Sequence, residues 1–280
     1  MKIIPTYCND NYSSEEKLLR RKSFHRYFKP RVDLVRTIFN FLKLKGRESI
    51  LDVGCGNGDV LVSLRKIYRQ QGEMFGVDIA PGILRQANRI NRQEKLGIKF
   101  SVGDGRELKF PGGRFDAVIV KHVLHNVDGP DRMLQECHRV LKPGGKLALV
   151  VTSKKSRLVQ KRLKPKIAKL LNLDFFPEAE STVNLENIKS FLDKRFWDSK
   201  IIKLESKMAL KKPEPYLDYI DSGRDFWGQI SDQEWNRAME FAAEYLGKQL
   251  NKKGALKDQS TLGVVLATKS ELPYKERLLQ

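Results

Sequence analysis

Between residues 49 and 152 the chain alternates short strand-like runs with amphipathic helical ones, and that alternation leaves few architectures open. "SILDV" (49–53), "EMFGVDI" (73–79), "IKFSVGD" (98–104), "RFDAVIV" (114–120) and "KLALVVT" (146–152) read as strands. The fourth is almost continuously apolar, as a strand covered on both faces must be. Between them lie an amphipathic run from Val60 to Arg69, a helix opened by Pro81, and "DRMLQECHRVL" (131–141) with apolar residues at helical spacing. Pro143 and the glycines of "KPGG" end the last of these. Such a pattern predicts an α/β fold: a doubly wound, parallel sheet with right-handed crossovers.

Outside that stretch the patterns are less regular. The first 45 residues read as one or two helices, "LENIKSFLDKRF" (185–196) as a helix and "KIIKLESKMAL" (200–210) as a strand. "KKPEP" (211–215) breaks that strand, helical patterns follow at 216–222 and 232–250, and "TLGVVLAT" (261–268) is the last strand. The expected division is an N-terminal helical segment (1–45), a core (46–152), a basic insertion (153–183), a core helix and strand (184–210), a helical insertion (211–260), and a final strand with its tail (261–280).

The turn after the first strand reads "LDVGCGNGDV" (51–60), with glycines at 54, 56 and 58. Glycine there lets the chain turn sharply and approach a ligand with its backbone. In an open α/β sheet this turn lies at the carboxyl ends of the strands, where ligands bind. A dinucleotide site would space its glycines G-x-G-x-x-G and rest a diphosphate on the helix N-terminus. Here the place of the last glycine is taken by Asp59, and Asp52 precedes the loop. Both carboxylates repel a diphosphate and suit a cationic ligand. Asp78, ending the second strand, is placed to accept from both hydroxyls of a ribose, though it also suits an N-cap for the Pro81 helix. S-adenosylmethionine, a nucleoside with sulfonium and ammonium groups, fits all three features.

Five stretches in order, "LDVGCGNGDV", "GVDIA" (76–80), "GDG" (103–105), "FDAVIVKHVLHNV" (115–127) and "RVLKPGGKLAL" (139–149), give residues 45–152 a resemblance to the class I S-adenosylmethionine-dependent methyltransferases. The resemblance implies a Rossmann-like seven-stranded sheet, mostly parallel with the last strand antiparallel, plus helical lid insertions. It implies that residues 46–152 form the cofactor-binding core, and that S-adenosylhomocysteine is the product. Asp52 and the backbone of Gly54, Gly56 and Gly58 would line the methionine part of the cofactor. Asp78 would bind the ribose, Ile79 would pack on the adenine, Asp104 would accept from the adenine amino group, and Gly105 would reach the ring edge. Lys121 and His122 would face the methionine part, although family members often carry a small or neutral residue where Lys121 stands.

Methyl transfer from a sulfonium needs alignment more than a nucleophilic side chain. His125, in the loop after the fourth strand, is the candidate base or substrate-orienting group; a packed, hydrogen-bonded histidine is the alternative. Both insertions are expected to rise from the carboxyl ends of their strands and form a lid. They carry Phe175, Phe176, Tyr216, Tyr219, Phe226, Trp227 and Trp235. Phe176, Tyr216 and Trp227 are expected to face the acceptor, and Trp235 to sit in the lid's own core.

Lys and Arg exceed Asp and Glu by 19, concentrated at 17–36 and at 154–169, where eight residues are basic and none acidic. Such fields attract polyanions (nucleic acid, anionic lipid or a phosphorylated substrate) or serve solubility. The expected acceptor is a small organic molecule, methylated on O, N or C, with an anionic one among the options. An RNA (rRNA or tRNA) methyltransferase using both basic segments is the alternative; a non-catalytic cofactor-binding regulator, or a membrane-surface protein with a basic amphipathic arm, is a further one. Pro165 is expected to break that basic arm as a long helix. Against RNA, the place where base-amine methyltransferases carry Asn/Asp-Pro-Pro-aromatic reads "VKHVLHN", and no Pro-Cys pair is present. Cys8, Cys55 and Cys137 are too scattered for a disulfide framework or a zinc site, so no metal and a cytoplasmic location are expected. The longest apolar run, Leu147 to Val151, is too short for a transmembrane span.

Overall fold

The computed structural model describes residues 15–173, 183–193, 195–196 and 198–270. In chain order, helices α1 (Glu15–Phe24) and α2 (Leu34–Leu42) precede β1 (Ile50–Val53), α3 (Asp59–Lys66), β2 (Met74–Asp78) and α4 (Pro81–Gln93). Then come β3 (Lys99–Val102), β4 (Phe115–Lys121), α5 (Pro130–Val140) and β5 (Leu141–Thr152). The remainder is α6 (Leu158–Leu170), α7 (Ile188–Leu192), β6 (Asp198–Leu210), α8 (Glu214–Asp221), α9 (Asp232–Lys253) and β7 (Leu256–Thr268).

The strands form one seven-stranded sheet in the order β3-β2-β1-β4-β5-β7-β6. Strands β3, β2, β1, β4 and β5 pair in parallel, and β7 runs antiparallel to β5. This is the Rossmann-like arrangement, with strand order reversing between β1 and β4. Ligand crevices form at such a reversal, outside the carboxyl ends of the strands.

Two compact units divide the chain: one within 33–153, 181–204 and 262–280, the other within 1–32, 154–180 and 205–261. The boundary near the N-terminus falls at Val32, so the expected 1–45 segment is shared, α1 going to one unit and α2 to the other. In the sheet unit, alternation along β4 sends Val118 and Val120 into one core cluster and Ala117 and Ile119 into another. Both faces are therefore buried, which is why β4 reads as continuously apolar.

Three local expectations shift. The helix expected over 185–196 is only α7, because the Asn184 and Asn187 side chains accept backbone N–H groups of Glu186 and Asn184 and hold the chain in turns. Helix α5 stops at Val140 and β5 starts at once; "KPGG" becomes a bulge, the register jumping from Phe115↔Leu141 to Ala117↔Lys146. Helix α6 runs through Pro165, which the basic run was expected to break at. A mid-helix proline costs about 3 kcal/mol, and burial of Leu163, Ile167 and Ala168 on the opposite face offsets it.

The helical unit has its own core of Phe24, Phe28, Leu163, Ile167, Tyr216, Ile220, Trp227, Trp235 and the inner face of α9. Two expected acceptor-facing residues are therefore core residues. Tyr216 is 1% exposed and donates its hydroxyl to Asp258 at 2.7 Å; Trp227 is buried against Trp235. Trp235 is core as expected, and Phe175 and Phe176 lie outside the described residues.

Candidate functional site

The loop from Gly54 to Gly58 leaves β1 at the strand-order reversal. Gly54, Gly56 and Gly58 all have positive φ (72°, 55° and 74°), the region that L side chains avoid. Gly54 and Gly58 are also needed for space: a Cβ would lie 2.3 Å from Val123 Cγ2 at the first and 2.7 Å from Phe100 Cζ at the second. The loop is tied to the end of β2 by Gly54 N–H and Cys55 N–H, both donating to the Val77 carbonyl at 2.7 and 3.1 Å.

Asp78 continues that tie with its side chain. Oδ2 accepts from Gly56 N–H at 2.7 Å and Oδ1 from Ala80 N–H at 3.0 Å. It is not the N-cap of α4; Ala80 holds that place. Each oxygen keeps lone-pair capacity for a further donor. Beside it Ile79 is 53% exposed and Val102, paired with Asp78 across β2 and β3, is 60% exposed. Two bare aliphatic groups at adjacent strand ends are a platform for a flat ring.

Asp52 is the most unusual group of the site. Strand alternation puts it on the same face as Ile50, and it is 1% exposed with neither carboxylate oxygen hydrogen-bonded among the described residues. A buried acceptor without a donor is costly. Burial pushes its carboxyl up to about 7, the nearby Lys121 charge opposing and Asp59 and Asp78 adding to the rise. An ammonium group is the partner such a carboxylate lacks, so the cradle fits the amino group of a methionyl ligand.

Alternation along β4 brings Lys121 to the same face, where its Nζ lies 2.7 Å from Asp59 Oδ1 at the start of α3. The sequence reading left Asp59 as an unopposed negative charge; the structure pairs it. His122 has a positive φ of 57° and donates its N–H to the Val150 carbonyl at 3.2 Å. The His122 and His125 rings meet edge-to-face, 6.3 Å between centroids.

Asp104 and Gly105 have structural duties that the sequence did not show. Arg106 grips Asp104 with Nε, Nη2 and its backbone N–H at 2.7–3.1 Å, and holds its carboxyl below the usual range. A Cβ on Gly105 would lie 2.4 Å from Met133 Cε and 2.7 Å from Val53 Cγ1. Phe100, Val123 and Arg106 are thus the site residues that sequence reasoning missed. Gly54, which faces Val123, and Gly58, which faces Phe100, could have signalled a close neighbour; nothing of that kind pointed to Arg106. Cys55 is buried and its thiol pushed up by that burial, which makes it packing rather than a nucleophile.

With this geometry in place, the Methyltransferase domain family matches residues 51–149, which run from β1 through most of β5. A demethylmenaquinone methyltransferase of Lactobacillus johnsonii is 30% identical over 182 residues, 60% of this chain and 75% of that protein. One of Geobacillus kaustophilus is 33% identical over 132 residues, 47% of this chain and 55% of that protein, so the chain spans little more than half of it. Among solved structures, the YcgJ protein of Bacillus subtilis is similar over 85% of this chain and 98% of its own, with a TM-score of 0.61 at 15% identity. That likeness is one of fold.

Proposed function

This chain belongs to the class I S-adenosylmethionine-dependent methyltransferases, and we propose from that premise that it methylates a small organic acceptor. The observation that carries the proposal is Asp52, a buried carboxylate with both oxygens unpartnered beside the glycine loop. It supports a cationic ligand and argues against a diphosphate. Bound there, S-adenosylmethionine supplies a methyl group on an already activated leaving group.

The chain's residues then have alignment as their main task. Asp52 holds the ammonium group, Lys121 supports its ionised form, and the Gly54–Gly58 backbone lines the methionyl chain. Asp78 accepts from the ribose while keeping its bond to Gly56, and Ile79 and Val102 cover the adenine. Asp104 meets the adenine amino group once Arg106 shares it. His125, edge-on to His122, orients the acceptor or takes its proton.

The relatives named for demethylmenaquinone support a small acceptor of this kind. The charge surplus supports an anionic one, and the buried, unpaired thiols of Cys55 and Cys137 are in keeping with a reducing cytoplasm. The RNA reading has only the basic segments in its favour. Labelled methyl transfer from S-adenosylmethionine, offered a demethylated quinol, small anionic metabolites and bulk RNA in parallel, tests the proposal. Transfer to a small acceptor is the expected result. Label in RNA, or cofactor binding with no transfer to any fraction of a cell extract, overturns it.

A further inference from the structure

Helix α6 has two faces of opposite character. Leu163, Ile167 and Ala168 are buried in the core of the helical unit, with Val159 and Leu171 packed beside them. On the other face Arg162, Lys166 and Lys169 stand exposed at i, i+4 and i+7, with Lys161 and Pro165 exposed beside them and Leu158 37% exposed. Among the described residues none of the three pairs with a carboxylate; Lys166 sits over the Tyr245 ring, 5.6 Å from its centroid. The stretch 154–169 holds eight basic residues and no acidic one.

The helix is also held in place. Asp258, buried at the start of β7, accepts from Leu158 N–H at 2.9 Å and Val159 N–H at 3.2 Å, and from Tyr216. Its carboxylate therefore sits on the positive end of the helix dipole. The cationic row is a fixed feature of the unit's surface.

We propose that this face docks the protein onto an anionic lipid bilayer. Clusters of Lys and Arg along a helix are drawn to acidic headgroups, each contributing within a Debye length of the surface. The apolar face of α6 is already used in the core, so the helix lies against headgroups without inserting. Binding is then electrostatic, reversible and steeply salt-dependent. Single-stranded nucleic acid fits less well: it needs a groove and exposed rings for stacking, and the ring beside this row is covered by Lys166 and stacked on Phe241. The inference rests on the helical unit alone and stands apart from the methyl-transfer reading.

Co-sedimentation of the full chain with phosphatidylcholine vesicles, with and without phosphatidylglycerol, tests it. Binding to the anionic vesicles only, lost at high salt, is expected. The triple variant R162Q/K166Q/K169Q should lower the partition coefficient on the order of 100-fold with its circular dichroism and melting curve unchanged. Should that variant misfold, the salt slope of the parent protein and competition by random-sequence RNA carry the test. Equal binding of parent and variant, binding that survives high salt, or RNA that displaces the protein from vesicles at matched phosphate would each overturn the proposal.

Discussion

The carboxylate of Asp78 accepts from the N–H of Gly56 at 2.7 Å, so the residue that ends β2 also shapes the loop that leaves β1. Loss of the side chain unties the loop and, in the proposed site, removes the ribose acceptor at the same time. Asp78→Ala is expected to weaken S-adenosylhomocysteine binding by well over tenfold, read by calorimetric titration. An unchanged constant would remove Asp78 from the site.

Gly54 is constrained twice, by φ and by Val123. An alanine there costs roughly 1–2 kcal/mol for the left-handed backbone and about 1–3 kcal/mol for overpacking. Gly54→Ala should lower stability to urea by about 2–5 kcal/mol. Adding Val123→Ala should restore the overpacking part and leave the backbone part, a coupling that a double-mutant cycle isolates.

Asp52 makes stability depend on pH. Its carboxyl is raised from 3.8 to about 7 in the native state, so between those values the folded chain binds more protons than the unfolded one. Raising the pH through this window destabilises the unliganded protein, and the loss is complete above pH 7. Asp52→Asn should abolish that slope and melt higher than the parent at about pH 8, by up to ~4 kcal/mol. Ionised Asp52 is the form that binds an ammonium, so ligand affinity should rise over the same window in the parent and stay flat in the variant.

Lys121 opposes the rise at Asp52. Lys121→Met removes that attraction and the 2.7 Å ion pair between Lys121 and Asp59. The pH window of the previous experiment should then move upward, followed by the same melts. A window that stays in place would show that Lys121 acts on Asp59 alone.

Tyr216 donates to a buried Asp258 carboxylate that also serves two helix N–H groups. Burial and that negative charge keep the phenol protonated. Tyr216→Phe should cost about 1.5–3 kcal/mol, the range for a hydrogen bond to a charged group, with cofactor affinity unchanged.

The alternation of strands and helices and the glycine loop were legible in the sequence because each depends on local pattern: apolar runs of strand length, proline at a helix start, glycine where φ turns positive. Asp52 and Asp78 were legible as strand-end residues. Their surroundings were not. Lys121 meets Asp59 from 62 positions away, and no spacing rule encodes that pair. Arg106 is only two residues from Asp104, yet "GDGRE" does not say which way a turn points its side chains. Tyr216 and Trp227 were misassigned because aromatic content is the same for a pocket wall and for a core. Only the partners, Asp258 and Trp235, tell them apart.

The helical unit draws on three separate stretches of the chain, with a consequence for synthesis. Phe24 is 2% exposed, its ring centred 5.0 Å from that of Tyr216 and 4.7 Å from that of Tyr219. Those partners leave the ribosome almost two hundred residues after it, roughly 10–40 s later at about 5–20 residues per second. For that interval α1 is an emerged segment whose Phe24 lacks these two ring partners, an apolar side chain open to a chaperone.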